Sequence, residues 1–478
     1  MPFDIPDEDV KNAFYASLGD VFIMREPLRD GYMGTLCGTE VYRATNPAEP
    51  CLAAIALDQT GYHTEAANGL RVHIDMQEAS GEWADPKGWA HHCWGVSGFK
   101  AWAAMEHYRL TGDRAYLEAV YPRMAASSRW QELQRRKTRA SSEPASSQPG
   151  SSESAVRGLM PRGMGDGGLM NGSDYFGIFY PHNILAIFAD RLSAEAAVEL
   201  GKPAEAAPLR QIFETAMADL RASLETGCIQ EDGFRWIPNS PGNRGGSRWG
   251  VLYALFPAGL MEPDDPLVTG SLKKIEHSIS AGGQPVHTGW MEDGAWVGIT
   301  LDNVAETHLA LGNGDAAVRY LYSSLNHGTP LYTWCEERGL EPGTKKTSGD
   351  RQHLWTPVAV LRCLRDALVM EQGDRLHLGL GTARSWLQQG KTVGVREAPT
   401  HFGAVSYRIA SDLRHQTIRA EIRAVWHQAP REIMLHLRHP QRGRMRTVTV
   451  NGRTSEFDAG KEFVRLPQGG PFEVIATY

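Results

Sequence analysis

The stretch Trp102–Tyr121, WAAMEHYRLTGDRAYLEAVY, decides the fold. An apolar helix runs into Gly112, a polar turn residue follows, and a second helix starts at once. The same pattern returns at Cys51–Leu70 (CLAAIALDQTGYHTEAANGL), Ala194–Phe213 (AEAAVELGKPAEAAPLRQIF) and Ala305–Leu325 (AETHLALGNGDAAVRYLYSSL). Gly61, Gly112, Gly201 and Gly312 supply the left-handed residue that ends a helix. Asp113 and Asp315 stand where a side chain caps the next helix. Each unit therefore reads as an αα-hairpin with a very short turn.

Helical periodicity extends this to about twelve helices before residue 375, from roughly Asp7–Gly19 to His353–Met370. Hairpins without a heptad seam predict a solenoid or a closed (α/α)6 ring of six hairpins. Short turns then crowd one rim and long loops the other, and the long-loop rim is where function sits. Residues 138–156, rich in Ser and Pro, read as a flexible insertion within this body. Beyond Gln372 the period changes to two, as in AVSYRI, TIRAEIRAVW and FEVIATY. Residues 376–478 therefore read as an antiparallel β-sandwich following a helical domain of 1–375, with Asn451-Gly452 as a hairpin turn.

Composition narrows the function. The 478 residues carry a net charge of −7, which argues against nucleic acid or an anionic membrane as main partner. Six Cys lie scattered without a CxxC pair, a pattern of reduced thiols. The acidic start MPFDIPDEDV has no apolar core of a signal peptide, so a cytoplasmic location is expected if Met1 is the native start. Thirteen Trp and fifteen Tyr suit stacking on sugar rings as well as core filling.

The residues that could carry chemistry sit in loops rich in Gly. Asp166 lies in RGLMPRGMGDGGLMNGSDYFG, where flanking glycines let the backbone fold around a ligand, and Asp174 reads as an ordinary turn residue. Trp290, Glu292, Asp293 and Trp296 crowd into GGQPVHTGWMEDGAWVG. Glu336 and Glu337 follow Trp334 in TPLYTWCEERGLEPGTKKTSGDRQHLW, where His353 also stands, and Glu337 reads as a solvated charge. Earlier loops add Glu40 in RDGYMGTLCGTEVY, and Trp89, His91, His92 and Trp94 in GWAHHCWG. Two adjacent His without a third ligand at useful spacing make no metal site. No Walker loop, GxGxxG, GxSxG or HExxH is present, and no cofactor is expected. Two carboxylates from distant loops, Asp166 and Glu336, are what glycoside hydrolysis needs: one donates a proton to the leaving oxygen, and the other activates water or attacks the sugar.

These motifs resemble the six-hairpin glycosidase superfamily over about residues 20–375, in HYRLTGDRAYLEAVYPRM, GLMPRGMGDGG, GWMEDGAWVG and the stretch around Glu336. Glucoamylases and α-L-rhamnosidases are familiar branches. The resemblance implies a toroid followed by the β-domain of bacterial members. As in glucoamylases, a Glu precedes the last Trp-bearing helix (Glu336 before QHLWTPVAV), which implies a catalytic base. NGSDYF (Asn171–Phe176) matches the run after the glucoamylase acid, but the acid position falls on glycine or leucine and the nearest upstream carboxylate is Asp166. This departure argues against glucoamylase activity itself. The N-terminal β-domain common in bacterial relatives is missing, as in a truncated chain.

The leading expectation is an inverting glycoside hydrolase of an oligosaccharide or glycoside, with Asp166 as acid and Glu336 as base. Glu40, Trp94, Trp290, Glu292, Asp293, Trp296, Trp334 and His353 would bind the substrate. Two alternatives stay open. One is a related phosphorylase, uronyl hydrolase or epimerase; a phosphorylase would draw on Arg244 and Arg248. The other is a carbohydrate-binding or scaffold protein that has lost catalysis. Sugar, linkage and oligomeric state are not legible in the sequence.

Overall fold

The computed structural model describes residues 1–46, 48–83, 92–140, 155–166, 168–170 and 174–478. The helical part contains α1 (Glu8–Ile23), α2 (Ala48–Thr60), α3 (His63–Asp75), α4 (Val96–Thr111), α5 (Arg114–Ala140), α6 (Tyr180–Glu199), α7 (Pro203–Gly227) and α8 (Pro266–Ile275). A continuous helix α9 covers 297–310 and is π-wound over Thr300–Ala305; α10 (Gly314–Asn326) and α11 (Trp355–Leu368) follow. No helix among the described residues is long and apolar enough to cross a membrane.

The predicted hairpins are present. Gly61, Gly112, Gly201 and Gly312 have φ of 93°, 70°, 69° and 76°, the left-handed conformation that an L side chain resists. Each joins an apolar helix to an outer one. α2 packs on α4, α4 on α6, α6 on the short turn Val251–Ala254, that turn on α9, α9 on α11, and α11 on α2. The contacts therefore close on themselves. Every residue of α2 and of α11 is buried, so neither helix has a solvent face. The C-terminal ends of these inner segments converge on a cavity of about 880 Å³, lined by Gln59, Glu106, Arg191, Ala310, Arg362 and Asp366 among others. Their N-terminal ends are fed by the long loops.

Three details depart from expectation. α1 does not stop at Gly19 but runs to Ile23, because nothing lies within 4 Å of where a Cβ would sit on that glycine and an isolated helical glycine costs only about 1 kcal/mol. Asp7 caps its start by accepting from the Val10 amide at 3.1 Å. The expected cap Asp315 does not cap α10: Asn313 accepts from Ala316 N instead, at 3.3 Å, and Asp315 faces three arginines. Residues 138–140, expected in the insertion, continue α5, with Thr138 Oγ1 donating to Leu159 O at 2.7 Å. Of the rest of that segment, 141–154 lies outside the described residues, while Ala155, also expected in the insertion, is buried and its carbonyl accepts from Ser223 Oγ.

From Val369 onward the chain forms strands in two sheets. The larger is antiparallel and has seven strands, centred on Thr392–Thr400, Gly403–Asp412, Thr417–Trp426 and Phe472–Thr477. Its edge is the two-residue strand Phe3–Asp4, which pairs with Val395 and Gly394. The smaller sheet has five strands and is not wholly antiparallel: Arg375–Leu378 runs parallel to Glu432–His436. Asn451 and Gly452 both have positive φ, 49° and 76°, and turn the hairpin as expected.

Asp315 ties the helical part to the strands. Its carboxylate accepts from Arg384 at 3.1 Å, pairs with Arg438, and lies 3.1 Å from Arg442. Burial opposes its ionisation, but Arg438 and Arg384 outweigh burial and hold the carboxyl below its ordinary range. A depressed carboxylate contributes stability above its unfolded pKa and loses it as pH falls through the folded one. Asp315→Ala is therefore expected to lower stability in denaturant titration at pH 7 by about 2 kcal/mol, since Arg438 is left buried without its partner. The difference from wild type should shrink as pH drops below the ordinary aspartate range; a gap that stays constant with pH would sink this account.

Candidate active site

The long loops meet around Glu336. Backbone pairing builds the site first. Glu337–Gly339 pairs on one side with Gly294–Ala295 and on the other with Thr347–Ser348. Glu336 N donates to Asp350 O at 3.1 Å, His353 N to Trp334 O at 2.9 Å, and Leu354 N to Cys37 O at 2.8 Å. Ser247 N reaches Gly168 O, and Arg248 N reaches His287 O. Loops from five parts of the chain thus share one rim.

Asp350 is the staple of this rim. It is fully buried, and its two oxygens accept from the amides of Glu40 (2.5 Å), Val41 (2.9 Å) and Tyr42 (2.6 Å). Three charge-assisted bonds from consecutive amides fix that loop in one conformation. They place the Tyr42 hydroxyl so that it donates to Glu336 Oε2 at 3.1 Å.

Glu336 is 5% exposed. Burial raises its pKa above the ordinary glutamate value; His353 opposes that rise, while Glu49 and Asp350 add to it. The site also holds Gly349, at φ 65°, against the Glu336 side chain, and a Cβ there would collide with the carboxylate. Asp166 is half-buried on a neighbouring loop. Its charge adds to the upward push on both the Tyr42 phenol and the Cys37 thiol.

The other expected binding residues divide. Trp290 is half-buried, with Tyr175 edge-on at 5.0 Å. Glu40, Glu292 and Asp293 are exposed, and Asp293 pairs with Lys346 at 2.6 Å. Glu292 joins Arg248, Lys274 and His287 around a small cavity of about 190 Å³. Trp296, Trp334, Trp94 and His353 are buried, not exposed faces for a sugar. Each has a packing reason. Trp334 Nε1 donates to Ser324 O at 2.9 Å, Trp296 meets Trp355 edge-on at 4.9 Å, and Trp94 stacks on His92 at 4.8 Å. His353 sits 3.5 Å from Glu49.

Glu337 corrects the reading of a solvated charge. It is 0% exposed, and its carboxylate accepts from the amides of Trp290 and Met291, each at 2.8 Å. Burial pushes its pKa up to about 7 against those two amides. It braces the Trp290 loop. Asp174 is the expected turn residue, accepting from Phe176 N at 3.0 Å. His92 pairs with Glu82, and Arg244 with Glu231. Trp89, His91 and Asn171–Gly172–Ser173 lie outside the described residues. Among the described residues no group of three or more His, Cys, Asp or Glu side chains is placed to hold a metal ion.

Sequence reasoning missed Tyr42, Glu49 and Asp350. Glu49 carried one signal, an acid directly ahead of the apolar run PCLAAIAL; Asp350, between Gly349 and Arg351, looks like any turn acid.

Comparison with solved structures places the architecture. The whole chain superposes on an α-L-rhamnosidase from Dictyoglumus thermophilum with a TM-score of 0.60 at 13% identity, covering 50% of that chain. It also superposes on the Streptomyces avermitilis α-L-rhamnosidase complexed with L-rhamnose, with a TM-score of 0.61 at 14% identity, covering 42% of that chain. The fold is that of the six-hairpin glycosidases. Among them, a metal-independent α-mannosidase of Streptococcus pneumoniae matches 75% of this chain and 94% of its own, with a TM-score of 0.54 at 12% identity. The chain spans about half the length or less of the two rhamnosidases. No protein-family profile and no curated protein matches it.

If Asp350 pins the first loop, Asp350→Asn replaces one of its two acceptor oxygens with an NH2 donor and removes the charge, while keeping the side-chain volume. Hydrogen exchange at Glu40, Val41 and Tyr42 should then accelerate roughly tenfold or more, the equivalent of losing about one hydrogen bond. Unchanged protection at all three would show that the loop is held by something else.

Proposed function

We propose that the chain is a glycoside hydrolase that cleaves an oligosaccharide or glycoside by an inverting mechanism. Residues 1–375 would be a catalytic (α/α)6 toroid and residues 376–478 its supporting β-sandwich. Asp166 acts as the general acid and protonates the leaving glycosidic oxygen. Glu336 acts as the general base and takes a proton from the attacking water. The observation that carries this reading is the buried Glu336, held by Tyr42 on the rim where the loop of Asp166 also arrives.

The chemistry suits the base. A carboxyl raised by burial accepts a proton more strongly than a solvated one, and general bases work best with a pKa near the operating pH. The Tyr42 hydrogen bond fixes one oxygen of Glu336 and leaves the other for water. Trp290 and the exposed carboxylates Glu40, Glu292 and Asp293 stand at the rim where substrate would enter. The glycosidase folds of the rhamnosidases and the mannosidase support the reaction class.

A screen of aryl glycosides and oligosaccharides, with α-L-rhamnosides and α-mannosides included, tests the proposal. Wild type should release sugar, and Glu336→Gln should lose turnover by about 10²–10⁴-fold with the fold intact. The base must be ionised, so kcat/KM should fall as pH drops through the raised pKa of Glu336, above the usual glutamate range of about 4.3. Equal turnover by wild type and Glu336→Gln would remove Glu336 from the chemistry.

A further inference from the structure

The large cavity at the short-turn end of the ring has no part in the mechanism above. Its volume of about 880 Å³ falls within the roughly 300–1,000 Å³ of small-molecule sites. The C-terminal parts of α2, α4, α6 and α11 form its walls, together with His401 and Phe402 from the strand region. Exposed Glu199, Glu262 and Asp374 mark where it reaches solvent.

The charged groups of the walls are matched to one another. Glu106 Oε2 lies 2.7 Å from His401 Nε2, and Arg109 donates to Glu195 at 2.7 Å. Arg365 donates to Glu371 Oε1 at 2.7 Å, and Arg362 to Asp302. A missing counter-ion is therefore not what the walls call for. What they leave open is finer. Among the described residues Gln59 Oε1, Arg362 Nε and Arg365 Nε have no hydrogen-bond partner, although each of these lining residues is 6% exposed or less. Buried polar atoms in native proteins are nearly always paired.

The open set is one acceptor and two donors. An inorganic anion such as sulfate supplies acceptors and leaves Gln59 Oε1 unmet. A metal cation accepts nothing and leaves both guanidinium nitrogens unmet. A hydroxyl group both donates and accepts. Tyr108, Phe256 and Pro257 stand half-buried in the same walls and present carbon surface. A sugar ring offers both halves of the match, hydroxyls at its edge and C–H groups on its face. We propose that this cavity is a second ligand site, at the end of the ring opposite Glu336, for a neutral, hydroxyl-rich small molecule of the sugar class. The assignment does not depend on the role given to Glu336.

Met261 lines this cavity, whereas Met291 lies in the Trp290 loop at the other end, so methionine methyl NMR reads the two ends separately. The signals are assigned with Met261→Leu and Met291→Leu. Glucose, mannose and L-rhamnose are titrated in turn, beside sodium sulfate and inorganic phosphate. At least one sugar should shift Met261 saturably, and neither anion should. Gln59→Leu should weaken that binding roughly tenfold, the equivalent of one hydrogen bond. Ala310→Trp, which fills the cavity from a half-buried position, should abolish the Met261 response and leave that of Met291 as in wild type. Circular dichroism confirms that each variant is folded; should Ala310→Trp not fold, Gln59→Leu decides. A Met261 signal unmoved by all three sugars, moved by sulfate or phosphate instead, or moved equally in wild type and Gln59→Leu overturns the proposal. Sugar binding seen at Met291 with Met261 silent would sink this second site and leave the proposed function standing.

Discussion

The architecture depends on helices that have no solvent face. α2 and α11 are buried along their whole length and touch each other where the ring of inner helices closes. An element packed on all sides can present chemistry only at its ends. Charged groups along the flank of α11 find partners inside the protein: Arg362 meets Asp302, and Arg365 meets Glu371 and Asp366. The two ends of the ring are thereby left to the turns and loops.

The ends are not equivalent. The short glycine turns take up one end, where inner-helix C-termini surround the large cavity with its Arg and Glu side chains. The long loops occupy the other, at the N-termini, where partial positive charge favours carboxylates. Glu49 sits in the first turn of α2, and Glu336, Asp350 and Asp166 gather near it. Several acids gathered this closely would repel each other in water. Here amide donors, a histidine and helix N-termini hold them together.

Much of the fold was legible in the sequence because its signals are local. A glycine that must take positive φ announces the end of a helix, and four of them announced the hairpins. The period-two strands and Asn451-Gly452 were equally plain. The parallel pairing of Arg375–Leu378 with Glu432–His436 was not, since register between distant strands has no local sign. For the site, the expectation for Glu336 rested on its setting before a Trp-bearing helix. Glu337, its neighbour, was misread because its partners are amides 46 and 47 residues away. Trp296 and Trp334 were misread for a related reason: composition shows an aromatic near acids but not which way the ring points. Asp350 and Tyr42 draw their roles from contacts across more than 290 residues.

The strand Phe3–Asp4 has a consequence for how the chain comes to be folded. Its partner, Thr392–Thr400, lies near the opposite end of the sequence. During synthesis Phe3–Asp4 must wait, unpaired, until Gly394 and Val395 have emerged. Until the two segments meet, the long strand Thr392–Thr400 has a bare edge, the kind of surface on which another chain can add itself. This pairing is therefore also a guard against misassembly, and it depends on an encounter of very high contact order.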